Sequence, residues 1–374
     1  MKKLIYADNA ATTKLDIAAF EAMKPYLLDE YGNASQPYSF ARKPKQAIQD
    51  ARKMIAECIG AMPEEIFFTS GGTESDNWAI KGVVYTSSSK KAVITSEIEH
   101  HAVLRTCADI EKQGYSVAYL PVTDSGVITI EALQSVITHN TALVSIMLAN
   151  NEIGTIQSIQ ELCEVAHKHG ALFHTDAVQA VGHISIDVKE LGVDMLSASA
   201  HKFNGPKGVG FLYIKKGTPI ASVISGGAQE SGMRAGTENV AAIVGMAVAL
   251  KINVDRTHEA TKHLQHLEQD LLDALNNSKI DYVRNGENHL PGNLSLSFKG
   301  ANGEALLHRL DLMGITVSTG SACDSVNNQV SHVLRAISLD DEYAEGTIRI
   351  SLSNSNTSED IQRIASAISK ILVK

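Results

Sequence analysis

Ser199-Ala-His-Lys-Phe-Asn-Gly-Pro-Lys-Gly208 sets a lysine between the end of a short apolar run and a glycine-proline turn. The run before it, Val193-Asp-Met-Leu-Ser-Ala-Ser199, is small and apolar enough for a buried strand. A buried strand whose end opens into a ligand crevice is characteristic of α/β sheets. On either side, apolar runs alternate with helical patterns from about residue 15 to 250, among them Ala142-Leu-Val-Ser-Ile-Met-Leu148 and Gly210-Phe-Leu-Tyr-Ile214. That rhythm predicts a mostly parallel sheet covered by helices on both faces.

The 374 residues exceed one ordinary core and imply two domains. The helix-rich stretch 239–277 changes register at the polar Asn253-Val-Asp-Arg-Thr257, where we place the boundary: a large domain at 15–254 and a smaller α+β domain beyond it. In the latter, Asn293-Leu-Ser-Leu-Ser-Phe298 reads as a strand. Thr357-Ser-Glu-Asp360 reads as the cap of a last helix with a buried stripe of Ile361, Ile364, Ile368 and Ile371.

A lysine at a strand end, removed from water, has a lowered pKa and offers a neutral amine for Schiff-base chemistry; the plainer alternative is a surface lysine beside a turn. Three further groups favour the first. Glu65-Ile-Phe-Phe-Thr69 reads as a strand running into Ser70-Gly-Gly-Thr-Glu-Ser-Asp-Asn77 and then a helix, so backbone N–H groups and Thr73 would face an anion; Gly-Gly also occurs in such turns for geometry alone. Ala171-Leu-Phe-His-Thr-Asp-Ala-Val-Gln179 ends a strand in Asp176, either the partner of a protonated pyridine nitrogen or a helix cap. His100 and His101 follow Ala92-Val-Ile-Thr95, where an imidazole either stacks on a flat ring and moves protons or merely starts a helix. Lysine, anion site, carboxylate and imidazole together are the requirements of pyridoxal 5'-phosphate.

Order and spacing over the whole chain resemble the NifS/IscS-like cysteine desulfurases, class V enzymes of the fold-type I pyridoxal phosphate group. The resemblance rests on Ala7-Asp-Asn-Ala-Ala-Thr-Thr13, Thr69-Ser-Gly-Gly-Thr-Glu-Ser-Asp-Asn77, Glu99-His100, Asn150-Asn-Glu-Ile-Gly154, His174-Thr-Asp-Ala-Val-Gln179, Ser199-Ala-His-Lys202, Arg234-Ala-Gly-Thr-Glu-Asn239, Gly320-Ser-Ala-Cys323 and Ile348-Arg349. It implies that residues 1–14 join 255–374 in the small domain, and that the fold is a fold-type I transferase. It implies that Lys202, rather than Lys207, carries the cofactor, that His100 stacks on the ring, that Asp176 pairs with its nitrogen and that Gln179 bonds its phenolic oxygen. Gly72, Thr73, Ser199 and His201 would hold the phosphate, joined by Thr237 from a second subunit. Asn151 would line the cofactor and, with Arg349, bind the substrate carboxylate, with Asn33 nearby. The implied reaction converts L-cysteine to L-alanine and moves sulfur to Cys323 as a persulfide, with Lys202 and His100 carrying protons, for iron–sulfur cluster assembly or tRNA thiolation. A selenocysteine lyase or class V aminotransferase is the alternative on the same scaffold.

The cysteines separate by context. Cys58, Cys107 and Cys163 lie on apolar helical stripes and read as core. Cys323 lies in Thr319-Gly-Ser-Ala-Cys-Asp-Ser-Val-Asn-Asn-Gln329, small and polar without an apolar period, which predicts an exposed, mobile loop. Cysteine and histidine spacing gives neither a disulfide framework nor a metal set; His174 with Asp176, or His100-His101, would be isolated ligands. The sequence departs from the family at Ala34, Tyr38 and Ala41, where proline, histidine and glycine are commoner, and at Asp324, where serine is. It also ends at Lys374 without the tail some relatives use to dock an iron–sulfur scaffold.

With 33 basic and 42 acidic residues, the net charge of −9 disfavours a nucleic-acid partner. The basic start meets Asp8 and Asn9 too early for a signal peptide, and no run suits a membrane span. The expected partners are L-cysteine, a second copy in a homodimer and a sulfur-acceptor protein, and the expected compartment is the cytoplasm, where free cysteines stay reduced.

Overall fold

A computed structural model of the chain describes residues 4–87, 89–319 and 330–373. Its strands begin with β1 (Ile5–Tyr6), β2 (Ile66–Thr69), β3 (Ala92–Ser96), β4 (Ser116–Leu120), β5 (Thr141–Ser145), β6 (Leu172–Asp176), β7 (Met195–Ser199) and β8 (Gly210–Ile214). Seven of these form one sheet in the order β2-β8-β7-β6-β5-β3-β4. The run β7-β6-β5-β3-β4 is parallel, and β8 alone runs against its neighbours β7 and β2. The expectation of a mostly parallel α/β sheet therefore holds.

Neighbouring residues of one strand feed different cores because side chains alternate across the sheet. Ile94, Val144 and Leu196 join one cluster with the helices Arg42–Cys58 and Ile159–Lys168, whereas Val93, Leu143 and Met195 join another with the helices Gly72–Thr86 and His101–Glu111. Both faces are covered, so the strands read as continuous apolar runs.

The remaining strands are β9 (Tyr282–Arg284), β10 (Asn293–Phe298), β11 (Ile315–Thr316) and β12 (Thr347–Ser351). β10 lies antiparallel between β9 and β12, and β1 pairs with β11 in parallel. A separate core here unites Ile5 and Ala7 with Leu264, Leu294, Ile348 and Ile364. A fourth, small cluster packs Val333, Leu334 and Ile337 onto Ile98, Met147 and Ile153 beside β3 and β5.

The expected change of register at 253–257 does not end the helix, which runs unbroken over Val240–Asn277. Nothing in the polar stretch is a helix breaker. Its buried positions stop at Leu250 in the first core and resume at Leu264 in the second, so the polar residues span the interval between two cores. The last helix, Ser358–Leu372, has the expected capping box of Thr357 and Asp360; Ile361, Ile364 and Ile368 are buried and Ile371 partly so. Among the described residues no helix is long and apolar enough to cross a membrane.

Candidate active site

Five strand ends converge on one crevice. β2 leads through Gly71 to the helix Gly72–Thr86, β3 to His100, β5 to Asn151, β6 ends in Asp176, and β7 leads through Ser199 to Lys202. A cavity of about 170 Å³ is lined by Gly72, Thr73, His100, Asn151, Asp176, Gln179, Ser199, His201 and Lys202, together with Asp76 and Met147. A second cavity of about 340 Å³ shares Gly72, Thr73, Ser199 and His201 with it and adds Thr12 and Lys207. Nine residues singled out from the sequence are thus brought together.

The helix begins at Gly72, earlier than the Trp78 start expected from the sequence, so Thr73 and Asp76 belong to its first turns. Its leading N–H groups have no intrahelical acceptors, and Gly72 and Thr73 line both cavities. Close approach dictates glycine here. Gly71 has a φ of 148°, and a Cβ on Gly210 would stand 2.4 Å from the Ala198 carbonyl oxygen and 2.8 Å from the Gly71 Cα.

Lys202 Nζ donates to the carbonyls of Ala10 (2.6 Å) and Ala11 (2.9 Å), and Gln179 Nε2 donates to Ala10 as well (3.0 Å). The amine is therefore held over the cavity by the segment 7–13. Its backbone is fixed in turn by His183, whose Nε2 donates to the Lys202 carbonyl at 2.8 Å. Lys207 lines only the second cavity.

His100 satisfies both sequence alternatives: its Nδ1 caps the helix His101–Glu111 by accepting from Ala102 N at 3.1 Å, and its ring lines the cavity. Burial, helped by the Lys202 and His101 charges, pushes its pKa down to about 4, so the ring is neutral. His201 is likewise pushed down to about 4 by burial and by Lys202 and Lys207, and its Nδ1 lies 3.1 Å from Thr12 Oγ1. Asp176 accepts from Val178 N at 2.9 Å and is buried; burial raises its pKa, while that bond and Lys202 oppose the rise.

Asp76, His100 and Asp176 place potential ligand atoms within 4.8 Å of one another. Two ionised carboxylates at such a separation repel by about 3 kcal/mol even at an effective dielectric of roughly 20. A positively charged group between them would relieve that repulsion.

Three residues named from the sequence stand outside the cavity walls. Arg349, on β12, donates from Nη1 to the Asn151 carbonyl (2.8 Å) and from Nη2 to Asp8 Oδ1 (2.9 Å), which attaches it to the cavity edge; its Nε has no partner among the described residues. Asn33 accepts from Ser35 N at 2.9 Å, and Thr237 is exposed. Cys323 and Asp324 lie outside the described residues. Cys107 and Cys163 are buried, and burial pushes both thiols up to about 12; the partly buried Cys58 rises to about 11. Although His167 and Asp194 follow Cys163 in a chain of contacts (3.7 and 2.8 Å), such a thiol is not a poised nucleophile.

Sequence reasoning missed Thr12, Asp76 and His183. The first two lie inside quoted motifs, where their polarity within tightly spaced small residues was the available signal; His183 left none, since it acts only through a backbone contact 19 residues on.

The crevice at parallel strand ends, with its lysine, buried carboxylate and helix-terminal anion cradle, defines an enzyme of the fold-type I α/β transferase class. The chain belongs to the aminotransferase class-V family, whose profile matches residues 5–364. It is 48% identical over 377 residues to a protein named cysteine desulfurase IscS from Dictyoglomus turgidum, covering 100% of this chain and 96% of that one. It is 47% identical over 375 residues to a protein of the same name from Methanosarcina thermophila, covering 100% and 93%. Among solved structures, a NifS-like protein superposes with a TM-score of 0.94 at 41% identity over 99% of both chains. SspA in complex with cysteine superposes with a TM-score of 0.83 at 37% identity, over 94% of this chain and 100% of that one.

Proposed function

We propose that this chain is a pyridoxal phosphate-dependent cysteine desulfurase that converts L-cysteine to L-alanine and transfers the sulfur to Cys323. The observation that carries the reading is the convergence of Lys202, Asp176, His100 and Gln179 on one cavity, beside a glycine-built helix terminus, in a chain about half identical to proteins named cysteine desulfurase. The residues fit pyridoxal 5'-phosphate: leading N–H groups and hydroxyls for the phosphate, a carboxylate for the ring nitrogen, an imidazole for the ring face and a lysine for the aldehyde. When bound, the cofactor supplies an electron sink conjugated to the substrate's α-carbon.

This chain's own residues then have distinct tasks. Gly72, Thr73, Ser199 and His201 hold the phosphate, completed by Thr237 of the partner subunit, and Gln179 donates to the phenolic oxygen. Asp176 keeps the ring nitrogen protonated. Arg349 and Asn151 orient the substrate carboxylate, with Asn33 beside them. Lys202, released from the Ala10 and Ala11 carbonyls, and the neutral His100 carry protons. Cys323 bonds to the substrate sulfur as its carbon bond breaks, so that L-cysteine and a thiol become L-alanine and a persulfide, with both electrons of the broken bond kept by carbon.

A homodimer is supported by exposed Ile17, Leu27, Leu28 and Tyr31, adjoining a turn whose Ser35 hydroxyl donates to Glu238, next to the exposed Thr237. We assign the persulfide to an acceptor protein of iron–sulfur cluster assembly or tRNA thiolation, in a reducing cytoplasm that suits the free thiols. Borohydride reduction of the purified yellow protein, followed by peptide mass spectrometry, should find the cofactor on Lys202. Label on Lys207, or none, would refute the assignment.

A further inference from the structure

The tasks above leave one cavity wall unexplained. Asp76, in the helix Gly72–Thr86, is 1% exposed, and its Oδ1 has no hydrogen-bond partner among the described residues. An unpartnered buried carboxylate oxygen is costly, more so if ionised. Apart from the Ser197 hydroxyl, the groups facing it worsen or fail to relieve that cost. Asp176 lies within 4.8 Å, and Glu99, also buried, adds to the repulsion. His174 Nε2 is 3.7 Å away, but burial pushes its pKa down to about 3, and its nitrogens are engaged with Ser145 Oγ (2.8 Å) and Ser197 Oγ (2.9 Å). His100 is neutral, and the Lys202 amine is turned to the Ala10 and Ala11 carbonyls. The Ser197 hydroxyl is the one group that favours the charged form. One cationic ring nitrogen cannot balance two carboxylates in so small a space.

We propose that Asp76 stands in this site as a neutral carboxylic acid, a positioning residue whose proton serves Asp176, so that Asp176 alone presents negative charge to the cofactor's ring nitrogen. The inference rests on the pyridoxal phosphate reading of the cavity. It gives the solitary Oδ1 its role as the proton-bearing oxygen. The repulsions from Asp176 and Glu99 and the loss of water all raise the Asp76 pKa well above the ordinary value, in the same direction.

The test uses the purified full-length holoenzyme at pH 8 and the variants Asp76→Asn, Asp76→Leu and Asp176→Asn. Infrared difference spectra of wild type against Asp76→Asn should show loss of one protonated-carboxyl C=O band, and should do so again after the cofactor is removed. Asp76→Asn, which keeps a neutral donor, should retain cofactor and move the pH titration of its visible absorption by less than twofold in proton concentration. Asp76→Leu, which has no donor, should move it tenfold or more; if that variant does not fold, the Asn arm carries the decision. An unchanged carboxyl band in Asp76→Asn, or a titration displaced as far as in Asp176→Asn, would overturn the proposal. Protein that binds no cofactor but still loses the band would instead refute the reading of the cavity and leave Asp76 a neutral acid.

Discussion

Replacing Arg349 by lysine tests how the substrate is held, because the charge is kept and only the fork is lost. The buried guanidinium bridges three parts of the chain: its own strand β12, the Asn151 carbonyl and the Asp8 carboxylate. A lysine ammonium reaches at most one of the two partners that the fork joins. Losing one hydrogen bond that involves a charged group costs about 1.5–3 kcal/mol, which is roughly a ten- to hundredfold loss of affinity. If the fork also grips the carboxylate of L-cysteine, Arg349→Lys should raise KM by that factor and change kcat less, measured as L-alanine formed across a range of cysteine concentrations. Asp8→Asn is the control. Asp8 competes for the fork, so its neutralisation should leave KM unchanged or lower it, while denaturant curves show a loss of about 1.5–3 kcal/mol for a charged hydrogen bond in a mostly buried pair. An unchanged KM in Arg349→Lys, with a stability loss like that of Asp8→Asn, would reduce Arg349 to a strut between the two cores.

Gly210→Ala should lower cofactor affinity at least tenfold, read by equilibrium dialysis, because its Cβ meets backbone of Ala198 and Gly71 that cannot turn aside; retained affinity would mean the cradle tolerates movement. Cys323→Ala should bind cofactor and cysteine, seen as absorbance changes, yet release no sulfide in the presence of a reducing thiol; full sulfide release would favour a lyase. Buried Glu99 has its pKa raised by burial from the ordinary 4.5 to about 8, despite bonds from Ser96 Oγ and Met147 N. The folded chain thus holds a proton that the unfolded chain releases above about pH 4.5, so this contribution to stability is complete below that pH and is lost as pH rises to about 8. Urea unfolding between pH 5 and 8.5 should show a loss on the order of a few kcal/mol that shrinks in Glu99→Gln; identical slopes would mean Glu99 is ionised throughout.

What the sequence made legible is what short segments determine. The ends of β2, β3, β6 and β7 were visible because apolar runs stop at glycine, histidine or aspartate, and those stops are the cavity walls. The polar stretch 253–257 marks the interval between the two cores in the helix Val240–Asn277, but its polarity alone does not tell an interval from an interruption, because a helix between two cores needs no apolar face there. The pairing of Asp8 with Arg349 spans 341 residues and left no local sign.

Charge state is less legible still, because it is set by what surrounds a group rather than by the group. Asp76, Glu99 and Asp176 are written as three equal acids in the sequence, yet all are buried, and of the three Asp176 is the one that feels the Lys202 charge. The helix that starts at Gly72 turns Asp76 inward, the strand end of β6 commits Asp176 to Val178 N, and Met147 N with Ser96 Oγ surrounds Glu99. Each carboxyl therefore meets a different set of donors at nearly equal burial, and that difference decides which one keeps its negative charge when a cationic ring enters. On this reasoning Asp176 is the anion: it receives a backbone donor and feels Lys202, while the buried Asp76 Oδ1 has no donor among the described residues to stabilise a charge.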